Sequence, residues 1–124
     1  MKKPFVKKLD DPVYCRTVYL GVGPRPVIAK KLEKLLDMGD GELERNQNSV
    51  GCVYYLPRGT FAIWLKQYTG SIDDIDVLVH EVMHLVHGCL DLIGMKLHDH
   101  SEEAYAYYAG FWTKQILETI KKHK

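Results

Sequence analysis

The hydrophobic positions of this chain change period along its length, and each change marks an element. Val13 to Val22 is rich in Val, Tyr and Thr, which predicts a β-strand closed by the turn sequence Gly21-Val22-Gly23-Pro24. From Pro26 the period becomes helical. Ile28, Leu32, Leu35 and Leu36 fall on one apolar stripe that stops near Met38-Gly39. Asp40 to Ser49 is polar and reads as a loop free to move. Val50 to Leu56 and Thr60 to Gln67 are strand-like runs joined by Pro57-Arg58-Gly59, residues that favour a tight hairpin. Phe61, Ile63 and Leu65 alternate onto one face, the face expected to lie under the helices. Ser71-Ile72-Asp73-Asp74 has the form of a capping box opening a long helix, with Gly94 as its stop. A last helical pattern runs to Ile120, with Asp99 or Ser101 as its N-cap and Glu102 and Glu103 in its first turn. The predicted order is β-α-β-β-α-α: an α+β domain in which a small twisted sheet, mixed or antiparallel, packs on two C-terminal helices.

The first of those two helices contains Val77-Leu78-Val79-His80-Glu81-Val82-Met83-His84-Leu85-Val86, an HExxH motif with no charged flanking residue. Residues four apart stand one above the other on a helix, so His80 and His84 can offer two imidazoles to one metal ion. Glu81 is turned from His80 by about 100° and is placed to reach a water on that ion as general base. Zn²⁺ suits such ligands, and a catalytic site takes three of them, leaving the fourth position to water. The competing reading is two core histidines and a Glu that share this spacing by accident. It leaves Glu81 to be buried without a partner, at a cost of several kcal/mol. The apolar flanks fit a helix that crosses the core.

The third ligand has to come from elsewhere. Glu102 and Glu103 read by themselves as solvated first-turn carboxylates, but next to an HExxH helix that lacks a third ligand one of them becomes the candidate. Glu103 shares a helix face with Ala106, Tyr107 and Gly110, small residues apart from the tyrosine. Crossing that face against Gly88 of the zinc helix would carry Glu103 to the metal. Glu102 lines up instead with Tyr105, Ala109 and Trp112, and stays open as the alternative. His98 and His100 precede the last helix and could replace Glu103 or donate to an oxyanion; Tyr105, Tyr107 or Tyr108 could also supply that oxyanion donor. His87 lies about 10 Å along the axis from His80 and belongs at the rim. The longer metzincin pattern HExxHxxGxxH is absent, because His87 takes its Gly position and Leu90 its third His.

His80-Glu81-Val82-Met83-His84, followed by Glu103-Ala104-Tyr105-Ala106-Tyr107, resembles the gluzincin clan of zinc metallopeptidases, whose thermolysin-like members pair HExxH with a Glu about twenty residues on. It is most similar to very small members of that clan, including metallopeptidase-like proteins of phages and prophages and the catalytic core of ImmA/IrrE-type proteins. The motifs that carry the resemblance cover about residues 77 to 107. The resemblance implies a zincin-like fold, one Zn²⁺ held by His80, His84 and Glu103, Glu81 as the base, and a peptide or protein substrate. Larger gluzincins add a second, mostly helical domain, for which this chain has no room.

The length of 124 residues with 46% hydrophobic positions suits a single domain spanning 1–124 with one core. A formal net charge of +1 gives no field for nucleic acid or membrane. The lysines gather at the two ends, Lys2, Lys3, Lys7 and Lys8 and then Lys114, Lys121, Lys122 and Lys124, and read as solvated termini. Cys15, Cys52 and Cys89 are odd in number and widely spaced, which argues for reduced thiols. With no apolar leader in Pro4 to Asp11 and no run long enough for a bilayer, the expected setting is the cytoplasm. The expected function is a zinc-dependent metallopeptidase. The alternatives are a zinc-binding adaptor with weak or no catalysis and a zinc amidase acting on a non-protein amide. Substrate, oligomeric state and biological host are not legible.

Overall fold

In a computed structural model, residues 3–123 are described; Lys2 and Lys124 of the terminal lysine clusters lie outside them. Four strands, β1 (Phe5–Asp10), β2 (Thr17–Val22), β3 (Gly51–Leu56) and β4 (Thr60–Leu65), form one sheet. Three helices accompany it: α1 (Arg25–Leu35), α2 (Ile72–Leu92) and α3 (Glu102–Lys122). The sheet is mixed, in the order β1-β2-β4-β3. β1 runs antiparallel to β2, β2 parallel to β4, and β3 antiparallel to β4.

Alternation along the strands explains the layers. Val18, Leu20, Phe61, Ile63 and Leu65 point to the face covered by α2 and α3. Ala62 and Trp64 of β4, with Tyr54 and Leu56 of β3, point to the other face and pack against Ile28, Ala29 and Leu32 of α1. The domain is therefore α+β with α1 on one side of the sheet and the paired α2 and α3 on the other. No described helix is long and apolar enough to cross a membrane.

Several elements depart from the pattern-based expectation. β1 was not foreseen, because Lys7 and Lys8 interrupt its hydrophobic alternation; lysines of this kind protect an edge strand from unwanted pairing. β2 begins only at Thr17, since the buried Asp11 carboxylate accepts from the Val13 and Tyr14 amides and turns the chain there. That turn is tied to α3, whose Tyr108 hydroxyl donates to Asp11 at 2.5 Å. On α1, Leu35 is exposed and Glu33 takes an inward position. The Glu33 carboxylate accepts from the Leu43 amide at 2.8 Å and pairs with Arg45, so it clamps the segment after α1. Tyr54 and Arg25 hold the same segment, through the carbonyl oxygens of Glu44 and Asn46. The loop expected to be free is fastened along its length.

The ends of α2 follow the sequence signals. Ser71 accepts from the Asp74 amide at 3.1 Å, while Gly94, at φ +82°, lets the Met95 amide turn back to Leu90 O. Ser101 stands at the N-cap of α3 but uses its hydroxyl within the preceding loop, accepting from the His98 amide and donating to Lys96 O. Cys15, Cys52 and Cys89 are separate thiols.

Candidate metal centre

Eight positions of α2 are buried: Asp74, Leu78, Glu81, Val82, Leu85, Val86, Cys89 and Leu90. His80 and His84 lie on the opposite, exposed half, so α2 does not cross the core as expected but lies on the surface of it. Of the apolar residues around the motif, Leu78, Val82, Leu85 and Val86 face the core, whereas Val79 and Met83, like Ile72 and Ile75 before them, are exposed.

His80 and His84 turn towards each other, with their Nε2 atoms 3.2 Å apart. A tetrahedral Zn²⁺ with Zn–N bonds of about 2.0–2.1 Å sets two imidazole nitrogens about 3.3 Å apart. The separation of the pair is close to that value. In the absence of metal the same separation allows one imidazole N–H to donate to the other ring.

Glu81 is 7% exposed. No described residue hydrogen-bonds its carboxylate. Among the described residues the one closed-off side-chain polar atom lacking a partner is Trp112 Nε1, so the Glu81 oxygens keep contact with solvent in their recess. Burial pushes its carboxyl above the usual range, and His80, His84 and the Arg25 guanidinium pull it back. Glu81 packs against position 51, which lacks a side chain. A Cβ there would stand 3.0 Å from both Glu81 Cγ and Val77 Cγ1, and 3.1 Å from Trp64 O. Gly51 thus lets α2 settle close to β3 beside the motif.

Helical spacing then fixes the side of α2 on which the histidines lie. His84 shares its face with Val77 and Gly88 and adjoins Glu81. Val77 and Glu81 meet β3 at Gly51, and Gly88 meets Tyr55 of β3 and Phe61 of β4. The imidazole pair thus borders the β3 edge of the sheet.

This arrangement corrects the packing expected of Gly88. A Cβ placed on Gly88 would meet the Phe61 and Tyr55 rings at 3.1–3.2 Å, whereas nothing lies within 4 Å of a Cβ placed on Gly110. α3 instead buries Tyr105, Tyr108, Trp112, Ile116 and Ile120. Its face bearing Glu103, Ala106, Tyr107 and Gly110 is turned to solvent, with Tyr107 77% exposed. Large aromatic side chains outcompeted the small-residue stripe for the interface, because they bury far more apolar area.

Among the described residues no group of three or more His, Cys, Asp or Glu is placed to hold a metal ion. His80 and His84 are brought together; Glu103, Glu102, His98 and His100 do not join them in this arrangement. Both glutamates are exposed in the first turn of α3. His98 and His100 lie in the α2–α3 loop, where the His100 amide donates to His98 Nδ1. His87 is exposed, with its ring 6.4 Å from that of Tyr105. The Tyr105 hydroxyl donates to Met95 O and that of Tyr108 to Asp11, so both have structural partners.

Two residues near the motif carry no sequence signal of a site. Arg25 is 7% exposed and, among the described residues, has no carboxylate partner. Its guanidinium donates to Tyr54 Oη, Asn46 O and Ser49 Oγ, approaches Cys52 Sγ at 3.4 Å, and lies over the Tyr54 and Trp64 rings. Gly51 opens a strand, where pattern gives no hint that a helix comes so near. Only the tertiary packing reveals either. No protein-family model, no curated protein and no solved structure matches this chain, so the functional reading rests on the geometry of the site itself.

Proposed function

We propose that this chain is a zinc-dependent metallopeptidase in which His80 and His84 hold the ion and Glu81 handles the proton. The observation that carries the reading is the 3.2 Å separation of the two Nε2 atoms, close to what one tetrahedral Zn²⁺ requires, with a recessed carboxylate one residue from the first ligand. Glu103 is the further ligand that the family resemblance implies. Its exposed place in the first turn of α3 means that this turn has to move to supply it, and Glu102 stands in the same turn.

Bound there, Zn²⁺ would supply a Lewis acid for a carbonyl oxygen and a water acidic near neutral pH. Glu81 accepts a proton at its carboxylate and returns it to the leaving amine; its freedom from other hydrogen bonds leaves both oxygens available for this. β3 offers a way to hold the substrate. It is an edge strand without charged residues, whereas the other edge, β1, carries Lys7, Lys8 and Asp10. Among the described residues its outer edge has no backbone partner, so an extended peptide could pair with it beside Glu81.

A second reading is favoured by the missing third ligand: a zinc-binding adaptor in which the two histidines bind metal without turnover. The amidase alternative uses the same site and differs only in substrate. A peptide-library assay with added zinc separates them. The peptidase reading predicts cleavage that is abolished in Glu81→Gln while zinc binding persists. Zinc binding without hydrolysis of any peptide would favour the adaptor, and hydrolysis of non-peptide amides alone would favour the amidase.

A further inference from the structure

A second candidate site lies at the end of the sheet, and strand connectivity explains why it is there. β2 and β4 are adjacent and parallel, yet the helix after β2 packs on one face of the sheet and the helix after β4 on the other. Where neighbouring parallel strands send their connections to opposite faces, the chain parts at their carboxyl ends and leaves a crevice, the usual ligand position in open sheets of this kind. A cavity of about 670 Å³ occupies that place, bounded by the ends of both connections, Val22 to Pro24 and Lys66 to Thr69. This volume is in the range of small-molecule sites. No residue of α2 lines it, so it is separate from the candidate metal centre.

The two connections that bound it are held in place. The Gly23 amide donates to Leu65 O at 3.0 Å and Gly23 O accepts from Trp64 Nε1 at 2.7 Å, which ties the two connections together. Gly23 itself is at φ +144°, and a Cβ there would strike Pro4. On the other side Asp74 holds Thr69 through its amide and hydroxyl at 2.5 and 2.6 Å.

The lining chemistry selects the ligand. Phe5, Val22, Tyr68 and Ile120 supply an apolar interior, with the His123 ring stacked on Phe5 at 3.8 Å between centroids. Lys3 and Lys66 stand at the wall with His123, and among the described residues no Asp or Glu lines the cavity. Asp74, close by through Thr69, has its carboxylate taken up by that residue. We propose that this cavity binds a small organic anion with an aromatic or other apolar body, its body among Phe5, Tyr68 and Ile120 and its negative charge facing Lys66 and Lys3.

The probe is naphthoate, titrated into the full chain by calorimetry and by amide chemical shifts. Its uncharged counterpart naphthylmethanol serves as the comparison. Naphthoate should bind, should shift the amides of Val22, Gly23 and Lys66 to Thr69, and should bind more tightly than naphthylmethanol. Lys66→Glu, a change at an exposed position, should weaken naphthoate about tenfold or more and leave naphthylmethanol nearly unchanged, since it reverses one charge at the site. The same reversal at the remote, exposed Lys31 should do neither. The proposal is overturned if naphthoate does not bind, if its shifts fall elsewhere, or if Lys66→Glu weakens it no more than Lys31→Glu does. None of these readouts involves zinc or hydrolysis, so the result is independent of the metallopeptidase reading.

Discussion

Glu33→Gln should destabilise the fold in a way that depends on pH. The Glu33 carboxylate is buried on α1, where it accepts from both Arg45 terminal nitrogens at 2.8 and 2.6 Å, from the Leu43 amide at 2.8 Å and from the Gly41 amide at 3.3 Å. Its hydrogen bond with Arg45 and, after that, those with the two amides hold its pKa at about 2 against an ordinary 4.5, although burial alone would raise it. The fall from 4.5 to about 2 corresponds to roughly 3 kcal/mol of stability when the group is charged. The Arg45 side chain is 28% exposed, so solvent screening reduces that figure to about 2 kcal/mol. Because the folded pKa lies below the unfolded one, this contribution is complete above about pH 5 and is lost as pH falls through 4.5 towards 2. Gln cannot reproduce it at any pH. Urea denaturation of both proteins, followed by tryptophan fluorescence, should therefore show the wild type about 2 kcal/mol more stable at pH 7. At pH 3 the gap should shrink to roughly two-fifths of that. Equal stabilities at pH 7, or a gap that stays constant down to pH 3, would refute the reasoning.

Other expectations follow from single contacts. Tyr108→Phe removes the hydroxyl bonded to the buried Asp11 carboxylate and should cost about 1.5–3 kcal/mol in urea denaturation, with an unchanged circular dichroism spectrum. Stability equal to wild type would mean that this bond does not tie α3 to the β1–β2 turn. Gly21→Ala places a methyl group inside the fully buried Ile28 side chain and forces α1 off the sheet; a loss of about 1–3 kcal/mol is expected, against a small gain if the contact is loose. In the metal centre, Glu81→Gln should leave zinc affinity within a few-fold of wild type and remove turnover, and undiminished hydrolysis would rule out Glu81 as the proton carrier.

Much of the fold was legible because its signals are local. The β3–β4 hairpin, the Ser71 cap, the Gly94 stop and the His80–His84 pairing each arise within a few residues of chain. β1 was hidden by Lys7 and Lys8, which serve the edge of a sheet whose existence a local pattern cannot reveal. The inward Glu33 and the fastened loop after α1 depend on Arg45, twelve residues away, and no hydrophobic period records such a partner. The largest departure concerns α3. Small residues at Ala106 and Gly110 suggested a close helix crossing, but Tyr105, Tyr108 and Trp112 on the adjoining face bury more area and decided which way the helix turned. That rotation leaves Glu103 on the outside, away from the His80–His84 pair, where sequence spacing does not place it. Arg25 and Gly51 come near the motif only through tertiary packing.

The central claim is that His80 and His84 bind one metal ion, and zinc stoichiometry by elemental analysis tests it most directly. After incubation with excess zinc and removal of unbound metal, the wild type should retain one ion per chain, and His80→Ala and His84→Ala should each retain little or none. A wild type that retains no zinc, or variants that retain as much as the wild type, would contradict it.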